Sequence, residues 1–141
     1  MTADRLDELL AKQQEIADSI GPIDVEVLLG DRVVIVRVPY LKGNRFDTLA
    51  EKHSPGIWFR DSAGCWFDAD AVARDYPDVV VVDGVQEDDL YVLRNKKAVY
   101  RWSEIYDALS GDDKLAIRSV IWGMYVGDPA KRKREAVADN G

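Results

Sequence analysis

An α+β fold, with a small antiparallel β-sheet flanked by helices and a mainly helical C-terminal part, follows from three features of the 141-residue sequence. Two aliphatic-rich segments, one opening with apolar–polar alternation (Ile23 to Val27), flank Gly30-Asp31. Apolar residues recur at helical spacing near both ends of the chain. A short aliphatic run, "DVVVVDG", lies between turn signals as a buried strand would. Hydrophobic residues make up 47% and charged residues 32%, the composition of a globular chain. A chain near this length hides roughly two-thirds of its unfolded surface, enough for a real core.

Residues 3–20 place Leu6, Leu9, Leu10, Ile16, Ala17 and Ile20 on one helical face, and Gly21-Pro22 stops that helix. In "IDVEVLLGDRVVIVRVPY", Gly30-Asp31 fits a two-residue turn with glycine first. Pairing around it sets Leu29 opposite Arg32, Val27 opposite Val34, Val25 opposite Val36 and Ile23 opposite Val38. One face is then almost wholly aliphatic, and Asp24 meets Arg37 on the other. Pro39 closes the second strand.

"KGNRFDTLAEKHSPG" predicts a short helix with Asn44 at its cap, Phe46, Leu49 and Ala50 facing inward, and Ser54-Pro55-Gly56 as its stop. Asp68 caps a further helix through about Asp75, after which "DVVVVDG" forms its strand. "QEDDLYVLRN" has acids suited to a helix start, while "LYVL" also suits a strand. Trp102, Ile105, Tyr106 and Leu109 follow i, i+3, i+4, i+7. Ser110 with Asp113 starts a last helix through about Val126. It carries Ile117, Val120, Ile121 and Met124 on one side and Leu115, Trp122 and Tyr125 on another. A helix apolar on two sides is deeply buried or meets a partner, which makes 112–126 a candidate for self-association. The expected divisions are an N-terminal amphipathic helix (1–22), an α+β core (23–84), a helical part (85–126) and a polar, frayed, basic tail (127–141).

Charge is unevenly spread over the net −7: residues 61–90 hold nine acids and one base, while residues 91–141 carry +3. Phosphate repels carboxylate, so nucleic acid is not an expected partner of the acidic middle. The basic run Lys131, Arg132, Lys133 and Arg134 suits an acidic partner or a solvated tail. No apolar run approaches the roughly 18–20 residues that span a bilayer, and no membrane partner is expected. The acidic, amphipathic start is unlike a secretory signal, and a lone cysteine fits a reducing compartment.

The rare residues gather around "SPGIWFRDSAGCWFDADAV", which follows the only histidine, His53, and contains the only cysteine, Cys65. Nucleophilic catalysis needs nucleophile, base and orienting group, and no third member is apparent. "DADAVARD" lacks the central glycine and closing glutamate of a calcium loop, and one cysteine with one histidine does not make a zinc site. Neither G-x-G-x-x-G nor G-x-x-x-x-G-K-[ST] occurs, so no cofactor is expected. Ser62-Ala63-Gly64 fits a three-residue hairpin loop that sets Phe59 opposite Phe67 and Arg60 opposite Trp66. These aromatics pack on the protein's own core or form a partner surface. The partner-binding candidates are Trp58, Phe59, Trp66, Phe67, Trp122 and Tyr125.

The order of these pieces resembles a known family. An amphipathic helix, "VEVLLGDRVVIVRVP", "FDTLAEKHSPG", "GCWFDADAV" and "RWSEIYDALSGDD" occur in the order seen in tail assembly chaperones of long-tailed (siphovirus-type) bacteriophages, especially those of actinobacterial hosts. The resemblance runs over about 23–126 and includes Phe46, Leu49, His53 and Pro55, with Ser54 where the family often has proline. It implies a non-enzymatic protein of the host cell cytoplasm. Such a chaperone coats the tape measure protein, helps tail tube protein subunits polymerise around it and is then released. Many members also exist in a longer, frameshifted form. The alternatives are a virion structural protein (head-tail connector or tail completion), a small metal-dependent hydrolase using Asp68, Asp70 and His53, and an acidic mimic of nucleic acid over 61–90.

Overall fold

The computed structural model describes residues 1–55 and 66–140. Helix α1 (Ala3–Ser19) begins at Thr2, whose hydroxyl accepts a hydrogen bond from the Arg5 N–H at 3.2 Å, and ends ahead of Gly21-Pro22. None of its residues is buried, and Leu6, Leu9 and Leu10 stand in solvent.

Strands β1 (Ile23–Leu29) and β2 (Arg32–Val38) pair in the register that the alternation dictates, from Ile23 opposite Val38 to Leu29 opposite Arg32. Gly30 takes φ +65°, the left-handed value that its turn position needs, while Asp31 keeps a negative φ. Val25, Val27, Val34, Val36 and Val38 are buried on the inner face. On the outer face the Arg37 fork holds both carboxylate oxygens of Asp24, at 2.9 and 3.3 Å, and reaches Glu87 at 2.8 Å.

Between β2 and the next strand lie α2 (Arg45–Lys52) and α3 (Ala69–Arg74). Asn44 stands at the α2 cap without a side-chain bond, whereas Asp68 caps α3 by accepting the Ala71 N–H at 3.1 Å. The aliphatic run supplies β3 (Val80–Asp83), antiparallel to β2 with Val36 opposite Val81. A turn at Gly84-Val85 leads to β4 (Gln86–Asp88), completing a sheet of order β1-β2-β3-β4.

The helical part expected from residue 85 begins instead with strands. After β4, β5 (Tyr91–Arg94) and β6 (Lys97–Tyr100) form a separate hairpin. The acids that suit a helix start do another job here. Asp88 and Asp89 accept hydrogen bonds from the backbone N–H two residues ahead, on Leu90 and Tyr91, and turn the chain. Leu90 sits at φ +68°, outside any right-handed helix, and Asn95 and Lys96 both take positive φ at the hairpin tip. Tyr91 and Tyr100 stack across the strands with centroids 5.0 Å apart.

Helix α4 (Trp102–Ala108) then buries Trp102 and Tyr106, and Leu109 just beyond it is also buried. Helix α5 (Gly111–Trp122) starts at Ser110, whose Oγ accepts the Asp113 N–H at 3.2 Å. It buries Ile117 and Ile121 against β1, β2 and α3. The Asp113 carboxylate crosses to the sheet edge and accepts the Leu28 N–H at 3.0 Å. That N–H points away from β2 in this register, so the bond satisfies one open group of an edge strand.

The chain does not fray after Val126. A π-helical turn, Gly123–Gly127, carries α5 directly into α6 (Asp128–Asn140). Asp128 N–H bonds to Gly123 O, five residues back. Pro129 thus falls where the register changes, the position in a helix that best tolerates a missing N–H. No residue of α6 is buried. Among the described residues no helix is long and apolar enough to cross a membrane.

Candidate interaction surface

The residues considered for hydrolysis are drawn into structural bonds. His53 ends α2 and its Nε2 lies 2.9 Å from Asp75 Oδ2, which also meets Lys52 Nζ at 3.0 Å. Burial pushes the Asp75 carboxyl up, but the bonds to His53 and Lys52 outweigh it and hold the group below its usual value. Asp68 caps α3, and Asp70 accepts from Tyr106 Oη at 2.6 Å and from Arg118 at 3.3 Å. Among the described residues no three acidic, histidine or cysteine side chains gather as a metal site would require. Cys65, Asp61 and the hairpin loop expected at Ser62-Ala63-Gly64 lie outside the described residues.

Aromatic side chains form the most organised cluster. Tyr125, from the π turn, stacks on Phe46 of α2 with centroids 3.6 Å apart and on Tyr40 at 5.2 Å. Phe67 and Trp66 meet Phe46 edge-on at 5.3 and 6.4 Å, and each other at 5.2 Å. Two distant segments, Trp66-Phe67 and Tyr125, are thus tied to one ring, that of Phe46, and Tyr40 joins through Tyr125.

Hydroxyls close the same cluster. Tyr76 Oη donates to Pro39 O at 2.6 Å, and the Leu41 N–H donates to Tyr125 Oη at 2.7 Å. The Tyr76 proton is committed to Pro39, so across the 2.6 Å contact between the two phenols Tyr125 must donate to Tyr76. Burial raises the pKa of both phenols, strongly for Tyr76. Replacing Tyr125 by phenylalanine keeps the stack but leaves the Leu41 N–H without its acceptor. We expect a loss of about 1–3 kcal/mol, read as a lower urea midpoint at unchanged slope. An unchanged midpoint would mean that water replaces the hydroxyl at no cost.

The structure separates the aromatic candidates. Phe67 is 3% exposed, and Tyr125 has its ring and hydroxyl engaged inside, so neither presents a docking surface. Trp66 remains 50% and Trp122 39% exposed. Trp122 lies against Gly127, where a Cβ would come within 2.6 Å of its ring. Leu115, two helical turns earlier on the same side, is exposed as well. Trp58 and Phe59 lie outside the described residues. The cations Lys131, Arg132, Lys133 and Arg134 are exposed on α6.

No family model, curated protein or solved structure matches this chain.

The residues behind Trp66 were in part hidden from sequence reasoning. Phe46 was legible as an inward helix residue, but its partnership with Tyr125 spans 79 positions. Tyr40 and Tyr76 carried no signal beyond being aromatic residues next to prolines.

Proposed function

We propose that this chain is a non-enzymatic binding protein, of the tail assembly chaperone kind that its sequence resembles, acting on a tape measure protein and on tail tube subunits in the host cytoplasm. The observation that carries this reading is half-exposed Trp66, set edge-on 6.4 Å from Phe46 of the Phe46–Tyr125 stack, together with a second exposed indole, Trp122 at the end of α5, which lies against Gly127. Tryptophans held at low entropic cost on a rigid base are typical of the few residues that dominate a protein interface. Modest apolar patches of this size also suit a partner that must be released, since permanent interfaces are larger and more continuous.

The test is co-expression with the tape measure and tail tube proteins of a long-tailed phage, chosen from the genome that encodes this chain, followed by affinity capture. The wild type is expected to retain a partner, and Trp66→Ala and Trp122→Ala each to weaken capture at least about tenfold while keeping their circular dichroism. Failure of the folded wild type to capture either protein sinks the proposal. Mass spectrometry of purified particles addresses release: stoichiometric presence there would favour a virion structural role.

A further inference from the structure

Two helices of this protein lie wholly outside its core, and they complement each other. Helix α1 displays Leu6, Leu9 and Leu10 along one face, 40–59% exposed, while Ile16 and Ala17 farther along that face are half-buried. It carries five carboxylates against two cations, net −3. Helix α6 displays a shallow groove of Ala130, Lys133, Arg134 and Val137, spaced i, i+3, i+4, i+7, with Val137 64% exposed. Its Lys131–Arg134 run supplies four consecutive cations against three carboxylates, Asp128, Glu135 and Asp139, for a net +1 concentrated as positive charge in the middle of the helix. The acidic helix with its leucine stripe and the row on α6 that sets Lys133 and Arg134 between Ala130 and Val137 are opposite in sign, and each offers apolar surface to the other.

The roots of the two arms are adjacent. Asp18, at the end of α1, is held by Lys42 Nζ at 3.0 Å, and Tyr125, just before α6, is held by the Leu41 N–H at 2.7 Å. Both arms therefore leave one corner of the molecule, and at 1.5 Å per residue they extend about 25 and 20 Å. Within one copy their stripes stay uncovered. We propose that the occupant is a second copy of this chain: α1 of each protomer lies along α6 of the other, so that a two-fold pair makes both contacts at once. A further exposed apolar patch among the described residues is the outer sheet face around Leu28 and Val33. It bears Asp24, Glu26 and Glu87 against Arg37 alone, so it repels an acidic helix where α6 attracts it.

The reciprocal geometry provides its own test. The full chain is expected to sediment at twice its mass as concentration rises, and to dissociate in high salt. Leu9→Glu disables α1 and Val137→Glu disables α6, and each variant alone should weaken association at least about tenfold. Mixed together they should form a one-to-one heterodimer, because one retains α6 and the other α1. A wild type that stays at one chain mass overturns the proposal. So does a dimer indifferent to both substitutions, or a pair of variants that fails to complement although both remain folded.

Discussion

Trp102→Ala is expected to cost about 3–5 kcal/mol, a large part of the total stability of a domain of this size. The indole is 0% exposed, so its removal leaves a cavity that the surrounding helices cannot fill. Its Nε1–H also donates to Ala73 O at 2.7 Å, which ties the start of α4 to the end of α3. Tyr106 packs on the same ring at 5.9 Å and loses that support. Urea unfolding followed by circular dichroism measures the effect. Trp102→Phe should recover about half of it, since ring volume returns without the hydrogen bond. Equal losses in both variants would assign the role to the N–H and not to packing.

The second large effect is alkaline unfolding. Burial raises the pKa of Tyr76, Tyr100 and Tyr125, and pushes Tyr106 up to about 12. A tyrosine that keeps its proton when folded stabilises the fold fully below its unfolded pKa, near 10, and loses that contribution as pH rises toward the folded value. Tyr76 alone, with 0% of its surface exposed, removes about 1.4 kcal/mol per pH unit above that point. The other three act in the same direction. Phenolate absorbance and circular dichroism should therefore change together, in a transition steeper than a one-proton titration. Phenolate formation centred near pH 10 with the fold intact would refute the burial of these hydroxyls as a source of stability.

Where neighbours in sequence decide the structure, the sequence was legible. The β1–β2 register followed from alternation and one glycine, the Asp24–Arg37 pair from that register, and the Asp68 and Ser110 caps from their own first turns. The errors came where one residue could serve two local purposes. Asp88 and Asp89 suit a helix start as well as the turn that they make. Gly127 and Pro129 suit a helix stop as well as the π turn that carries the helix onward. The interaction surface was legible only as a list of aromatics. Which of them face solvent depends on Phe46 meeting Tyr125 across most of the fold, and no local pattern encodes that contact. The same holds for α1: its apolar face is legible in its spacing, but the fact that none of its residues is buried is not.

The hairpin at Gly30 is assembled from neighbours, yet its aliphatic face is closed by α5, and Leu28 reaches its edge partner Asp113 only across 85 positions. During translation at about 5–20 residues per second, that face would stay open for roughly 4–17 seconds after the hairpin itself has been made. The order of synthesis thus runs against the order of burial. A ribosome-bound chain short of α5 presents Val25, Val27, Val34 and Val36 to whatever is nearby, and the helix made late in the chain is the one that ends this exposure.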